Sequence, residues 1–326
     1  MSIQVLKVSR LKKYFPVYKG VFLRPKGSAF AVDDVSFEVN QGETLGLVGE
    51  SGCGKTTLGR CITGLYDKTD GNISFNGRDI STFNARELKK FRLRVQMIFQ
   101  DPFESLDARQ TVQEILKEKY IIHNKDRDIN MDDEIALLLE KTGLSKSDMF
   151  KFPHEFSGGQ RQRIGIARAI SLNPELIVCD EPVSALDVSV QSKILNLLLN
   201  LQSQMNLTYV FISHDLAVVK HISDRIAVMY LGKIVEIADA DSIYDKHLHP
   251  YTEALLSAIP IPDPESKKQR IILKGEIPSI QNPPAGCRFH TRCRHTMDIC
   301  KNAEPILTTA DNNGKHSVAC HMYNGG

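Results

Sequence analysis

The sequence has no apolar run that approaches the ~20 consecutive residues needed for a membrane-spanning helix. Its N-terminus also lacks the apolar h-region of a secretory signal peptide. We therefore expect a cytosolic chain rather than a secreted or membrane-spanning one. Such a chain can still dock on a membrane complex as a peripheral subunit.

An excess of charge of either sign is also missing. The 41 Lys and Arg residues are balanced by 39 Asp and Glu residues, so the formal net charge is +2. A polybasic protein that binds nucleic acid or lipid would carry a clear excess of basic residues. We therefore expect no nucleic-acid partner. The length of 326 residues suits one large domain or two smaller ones.

One stretch has the pattern of a phosphate-binding loop. Residues 49–57 read G-E-S-G-C-G-K-T-T, after an apolar run typical of a strand (44–48) and before a stretch that can form a helix (58–64). This order places backbone N–H groups and a helix N-terminus around one point, where a polyphosphate fits. The alternative is a glycine-rich turn without a ligand. The candidate phosphate-binding residues are Gly49, Glu50, Ser51, Gly52, Cys53, Gly54, Lys55, Thr56 and Thr57.

Four side chains predict the chemistry of such a site. Lys55 would reach the outer phosphates, and the Thr56 hydroxyl would ligate Mg²⁺. Farther along the chain, Asp180 and Glu181 follow the apolar run Leu176–Cys179, which is typical of a strand buried in a parallel sheet. Asp180 can hold Mg²⁺, and Glu181 can activate an attacking water.

Three further positions lie at the start of a predicted helix or directly after a predicted strand. Ser157 is a plausible N-cap for a helix from Arg161 to Leu172, and the following Gly158-Gly159 pair leaves N–H groups open to an anion. Gln100 and His214 each come directly after an apolar strand-like run. Taken alone, His214 is more typical of a histidine in a surface loop.

Together these stretches resemble the nucleotide-binding subunits of ABC transporters. Residues 49–57 are similar to Walker A, 176–180 to Walker B and 156–160 to the family signature. Gln100 matches the Q-loop, residues 184–187 the D-loop and His214 the switch histidine. Phe156 stands where the signature most often has leucine, which is an apolar replacement.

The resemblance implies an α/β fold and a domain organisation. We expect a mostly parallel P-loop (RecA-like) core with an N-terminal antiparallel β subdomain, a helical subdomain and a small C-terminal extension that contains cysteines. The ATPase domain would span residues 1–258, with the helical subdomain at about 101–170. Residues 259–326 would form a Pro-rich linker and the extension.

The resemblance also implies roles for the site residues. Two subunits would sandwich two ATP molecules with Mg²⁺, which Thr56, Asp180 and Gln100 would hold or sense. Glu181 would be the general base and His214 would hold the γ-phosphate, with Lys55 and Gln100 completing the catalytic set. Phe15, rather than Tyr14, would stack on adenine; the alternative is that both rings are core residues. The residues that would contact the ATP bound to the partner subunit are Ser157, Gly158, Gly159 and Gln160.

A narrower resemblance concerns the transported solute. Residues 249–252 (H-P-Y-T) with Leu255-Leu256, and residues 178–189, are similar to the oligopeptide/dipeptide importer branch, in its "F"-type paralogue. This implies an identical or paralogous ATPase partner, two transmembrane permease subunits and an extracytoplasmic solute-binding protein. The location implied is the cytoplasmic face of the bacterial inner membrane. Alternatives are an importer of nickel or glutathione, a non-transport ABC ATPase, and a P-loop kinase or GTPase.

Four of the seven cysteines lie late in the chain, with the spacing C-x5-C-x6-C-x19-C: Cys287, Cys293, Cys300 and Cys320. Four thiolates suit a [4Fe–4S] cluster or Zn²⁺. The C-x2-C pairs common in zinc sites are missing, and some members of the importer branch carry a cluster on such a tail. We therefore predict an iron–sulfur cluster, with zinc and free thiols as alternatives.

Overall fold

The computed structural model describes residues 3–19, 24–101, 105–123, 130–259, 270–311 and 313–323. Parts of the predicted helical subdomain (102–104 and 124–129) and of the predicted linker and extension (260–269, 312 and 324–326) lie outside them. The chain divides into two compact units. The first unit consists of residues 1–5, 39–43 and 75–212, and the second of residues 6–38, 44–74 and 213–326.

The described strands are, in chain order, β1 (Gln4–Lys19), β2 (Arg24–Asn40), β3 (Thr44–Val48), β4 (Asp70–Phe75), β5 (Arg78–Asp79), β6 (Val95–Ile98), β7 (Leu176–Asp180), β8 (Thr208–Ser213), β9 (Arg225–Tyr230), β10 (Lys233–Asp239), β11 (Thr308–Thr309) and β12 (Ser317–Val318). The described α-helices are α1 (Lys55–Ile62), α2 (Ala85–Arg94), α3 (Val112–Ile122), α4 (Met131–Lys141), α5 (Gly158–Ile170), α6 (Val188–Met205), α7 (Leu216–Ile222), α8 (Ala240–Lys246), α9 (Pro250–Ser257) and α10 (Asp298–Asn302).

The first unit contains a parallel arrangement of β6, β7 and β8. Val178 of β7 lies opposite Met97 of β6 on one side and Val210 of β8 on the other. Every residue of β7 and β8 is buried. Continuous apolar strands of this kind are typical of parallel sheets covered on both faces. The carboxyl ends of these strands therefore carry the polar residues predicted to act.

Helices α3, α4 and α5 of the first unit enclose an apolar cluster. Val112 and Leu116 of α3 meet Ile135 and Leu139 of α4, and all four are fully buried. Within each helix the two residues are four positions apart and therefore lie on the same face. That face packs inward. Phe156 belongs to the same cluster. The apolar residue at this position therefore anchors the start of α5.

In the second unit, β3 pairs with β9 in parallel, and β9 with β10 in antiparallel register. The C-terminal part of the chain continues this arrangement, because β12 pairs with β10 and β11 pairs with β12. Strands β2, β1 and β4 are neighbours in a separate sheet. Together, the mixed sheets and the helices bear out the α/β class.

A buried carboxylate joins the C-terminal residues to β10. Glu236 is fully buried and accepts hydrogen bonds from the backbone N–H groups of Leu248 (2.6 Å) and His249 (3.0 Å). Its Oε1 lies 2.7 Å from Nε2 of His316. Burial alone would raise the pKa of Glu236, but these hydrogen bonds, first of all the one with His316, hold it below its usual range. The end of the ATPase domain at residue 258 stays a prediction. The contact between Glu236 and His316 joins residues on either side of it.

We expect the folded state to lose stability between about pH 6.5 and pH 4 because of His249. Burial lowers the pKa of this imidazole to about 4, although the charge of Glu236 acts in the opposite direction. The unfolded chain, with an ordinary histidine pKa near ~6.5, then binds a proton that the folded chain does not. The loss should reach about 2–3 kcal/mol at pH 4.5.

The matched variant is His249→Asn. The imidazole Nδ1 of His249 accepts the backbone N–H of Tyr251 (3.0 Å) as the N-cap of α9, and an asparagine oxygen can accept the same bond without titrating. Urea unfolding of both proteins at pH 7 and pH 4.5 measures the difference. An equal loss of unfolding free energy in both proteins would refute the assignment.

Candidate functional site

The glycine-rich loop between β3 and α1 is shaped by its backbone. Gly49 and Gly54 have φ angles of 154° and 109°, and a Cβ on either one would overlap a backbone oxygen, that of Met229 or Ala31 respectively. Gly54 is the N-cap of α1 and makes no side-chain cap bond. The start of α1 therefore has no capping side chain over it, which suits a phosphate site.

Lys55 is almost completely buried at the centre of this loop. Its Nζ donates to the backbone oxygens of Gly49 (2.7 Å) and Glu50 (3.1 Å). The ammonium therefore lies inside the loop whose N–H groups would hold a polyphosphate. Burial raises the pKa of the neighbouring Cys53 thiol, so this cysteine is a neutral packing residue of the loop.

The predicted acidic pair lies at the end of β7. Asp180 is buried, and Glu181 has a left-handed backbone (φ 46°) that is uncommon for a residue with a Cβ. The Glu181 N–H donates to the backbone oxygen of Ile212 (3.0 Å), which fixes this turn. Gln100 Nε2 lies 3.2 Å from Glu181 Oε2. The structure thus brings together two residues that were predicted separately.

The signature residues form the start of α5. Ser157 is the N-cap, and its backbone N–H bonds the Gln160 side chain (2.9 Å) while its Oγ accepts the Gln160 N–H (3.4 Å). Ser157, Gly158 and Gln160 are exposed. A Cβ on Gly159 would overlap Cγ1 of Val190, so close packing against α6 requires glycine there.

The two remaining predicted residues lie in the second unit. His214 is exposed and comes directly after β8 and before Asp215, the N-cap of α7. Phe15 packs edge-on against Tyr66, with ring centroids 5.6 Å apart. Tyr14 instead donates its hydroxyl to Asp33. This bond holds Tyr14 in place, which favours Phe15 for adenine stacking, and that role stays a prediction.

Comparisons with known proteins decide the family. The family profile for ABC transporters matches residues 32–184. The oligopeptide transport ATP-binding protein AppF of Bacillus subtilis is 53% identical over 322 residues, covering 98% of this chain and 97% of AppF. The chain belongs to the ABC transporter ATP-binding family. As an ABC ATPase it binds and hydrolyses ATP with Mg²⁺ and couples hydrolysis to transport.

Other comparisons agree with this assignment. The profile for the C-terminal region of oligopeptide/dipeptide transporters matches residues 235–300. The oligopeptide transport ATP-binding protein OppF of Salmonella typhimurium is 48% identical over 321 residues, covering 97% of this chain and 95% of OppF. The dimeric cassette MJ0796, solved in a post-hydrolysis state with ADP and Pi, has a TM-score of 0.64 and 25% identity, covering 72% of this chain and 98% of MJ0796. The predicted fold class and family are confirmed.

The predicted iron–sulfur cluster is wrong. Within the described ranges of this ABC ATPase, no group of three or more His, Cys, Asp and Glu side chains could hold a metal ion. All seven cysteines are free thiols. Burial raises the pKa of Cys287 to about 11 and also raises the pKa of Cys293 and Cys320. Without a metal, these thiols are therefore protonated near neutral pH.

Among the helices of this ABC ATPase that the structure describes, none is both long and apolar enough to cross a bilayer. The sequence reasoning also missed Arg292, which forms an ion pair with Glu50 of the phosphate loop. No local pattern pointed to it, because the two residues are 242 positions apart.

Proposed function

We propose that this ABC ATPase energises the import of dipeptides and oligopeptides. The observation that carries the proposal is the 53% sequence identity with AppF over 98% of this chain, which includes the C-terminal region. The name of AppF describes oligopeptide transport, and the matching C-terminal profile is that of oligopeptide/dipeptide transporters. The substrate class thus rests on two matches that extend beyond the nucleotide motifs.

The residues present fit ATP and Mg²⁺. Glycine at positions 49 and 54 lets the loop backbone approach the backbone oxygens of Met229 and Ala31 closely, and Lys55 supplies a cation to the phosphates. Thr56 and Asp180 offer the oxygen ligands that Mg²⁺ prefers. When bound, Mg²⁺ supplies charge that neutralises the phosphates during transfer. We assign Phe15 to stacking on the adenine ring of ATP.

In the proposed mechanism, hydrolysis depends on positioning and charge rather than covalent chemistry. Glu181 accepts the proton of the attacking water. Gln100 hydrogen-bonds one carboxylate oxygen of Glu181 and so orients the other toward the water. His214 holds the γ-phosphate. The exposed start of α5, from Ser157 to Gln160, contacts the ATP bound to a second subunit.

We further propose the assembly in which the chain works. Two ATPase subunits, identical or paralogous, would pair as the dimeric MJ0796 cassette does. They would dock on two transmembrane permease subunits at the cytoplasmic face of a bacterial inner membrane. An extracytoplasmic solute-binding protein would deliver the peptide.

The test is ATP hydrolysis by the chain reconstituted with its permease subunits in liposomes. We expect a solute-binding protein loaded with a mixed oligopeptide pool to stimulate hydrolysis several-fold over the unloaded protein. The same protein incubated with glutathione or with Ni²⁺ is the control. Stimulation by glutathione or Ni²⁺ and not by peptides would refute the peptide assignment and leave the ATPase assignment intact.

A further inference from the structure

The C-terminal segment 287–294 lies against the phosphate loop, within the same compact unit. The guanidinium of Arg292 forms a bidentate ion pair with Glu50: Nη1 lies 2.7 Å from Oε2 and Nη2 lies 3.0 Å from Oε1. Both side chains are largely removed from water, with 7% of Arg292 and 24% of Glu50 exposed. A planar bidentate pair of this kind fixes direction as well as distance.

Glu50 is held at each of its polar groups. Its backbone N–H donates to the hydroxyl of Tyr251 (2.8 Å). Its backbone oxygen accepts from Nζ of Lys55 (3.1 Å), and its carboxylate binds Arg292. Arg292 therefore binds the same loop residue whose backbone oxygen accepts a hydrogen bond from the phosphate-binding lysine.

A cluster of aromatic rings positions Arg292. Phe289 is buried against Tyr230 and Tyr251, with ring centroids 5.2 and 5.4 Å away. Arg292 follows Phe289 by three residues and also donates to the Tyr230 hydroxyl (3.4 Å). Because Tyr251 itself contacts the loop, this cluster forms a rigid support between the C-terminal segment and Glu50.

A second arginine of the segment reaches the loop through a turn. Arg288 is buried and donates to the backbone oxygen of Leu231. Gly232, which follows Leu231 in the chain, donates its N–H to the backbone oxygen of Cys53 (2.8 Å). The C-terminal segment thus contacts the phosphate loop directly at Glu50, and indirectly at Cys53 through the turn that Arg288 binds.

Charge explains why the support matters for ATP. A carboxylate in a loop that binds polyphosphate repels its ligand unless a cation compensates it. Arg292 supplies this compensation and directs the Glu50 carboxylate toward the C-terminal segment. We propose that Arg292 is a positioning residue for ATP binding, acting through Glu50. The inference rests on the proposed nucleotide site.

The test compares ATP affinity across a small set of variants, using a fluorescent ATP analogue. We expect Arg292→Met to weaken binding about tenfold, within the usual range of couplings between residues and sites. At saturating ATP, kcat should change less than about twofold, because the reacting groups are untouched. Arg292→Lys should recover part of the affinity, since it keeps the charge and loses the bidentate geometry.

Two comparisons separate positioning from a general loss of structure. Arg294→Met is the matched control, because Arg294 pairs with the more exposed Glu253 and does not contact the loop in the described structure. In a Glu50→Gln background the carboxylate charge is gone, so Arg292→Met should cost much less affinity. An unchanged affinity in Arg292→Met, or an equal loss in Arg294→Met, would overturn the inference. If the wild-type chain itself binds no ATP analogue, the proposed nucleotide site fails instead.

Discussion

Replacing Glu181 by glutamine is expected to lower the rate of ATP hydrolysis by about 10²–10⁴-fold, the contribution of a general base. Glutamine has nearly the same shape and can still accept a hydrogen bond from Gln100, which lies 3.2 Å from Glu181 Oε2. It cannot take a proton from water. ATP binding should therefore persist. Single-turnover hydrolysis measured beside equilibrium binding of ATP separates the two effects.

A useful control is Glu140→Gln, which removes the same charge from an exposed position at the end of α4. We expect its hydrolysis rate to match that of the wild-type chain. The Glu181 variant should also trap a dimer in the presence of ATP, visible as an ATP-dependent shift in gel filtration. If Glu181→Gln hydrolyses ATP within threefold of wild type, the base must lie elsewhere.

Replacing Lys55 by alanine is expected to weaken ATP binding about 100-fold or more. Two effects add: the phosphates lose a cation, and the backbone oxygens of Gly49 and Glu50 lose the donor that bonds both in the described structure. Hydrogen bonds to charged groups contribute about 1.5–3 kcal/mol each, which is the scale of this loss. Isothermal titration with ATP and Mg²⁺ measures the affinity directly.

Because Lys55 is buried, a change in folding must be separated from a change in binding. Far-ultraviolet circular dichroism and the urea midpoint of Lys55→Ala serve this purpose. Lys89→Ala, which removes an exposed lysine from α2, should leave the affinity unchanged. An affinity of Lys55→Ala within fivefold of wild type, in a folded protein, would contradict the assignment.

The sequence was sufficient to predict the parts of the site that are local in the chain. The strand, glycine turn and helix around residues 49–57 are specified by neighbouring residues, so the pattern predicts the geometry. The same holds for the Ser157 cap of α5, whose partner Gln160 is three residues away. Nothing local indicated the left-handed backbone of Glu181, because the turn depends on a bond to Ile212 on the next strand.

Contacts between distant residues could not be predicted in this way. The pair formed by Arg292 and Glu50 is decided by how the C-terminal segment packs, which no spacing or period records. The error about the cysteines has a related cause. Spacing shows only that the cysteines are close along the chain, whereas packing decides whether their side chains form a metal site, and the described residues form none.

The buried carboxylate of Glu236 connects β10 to the C-terminal residues, across the predicted boundary at 258. It draws its partners from the start of α9 and from His316, 80 residues further along the chain. A chain that ended before His316 would keep this carboxylate inside while losing its histidine partner. Removing one partner of a buried charged pair lowers the free energy of unfolding far more than the net contribution of the pair suggests. Removal of the residues that carry His316 is therefore expected to destabilise β10 and α9, unless Glu236 is replaced by an uncharged residue at the same time.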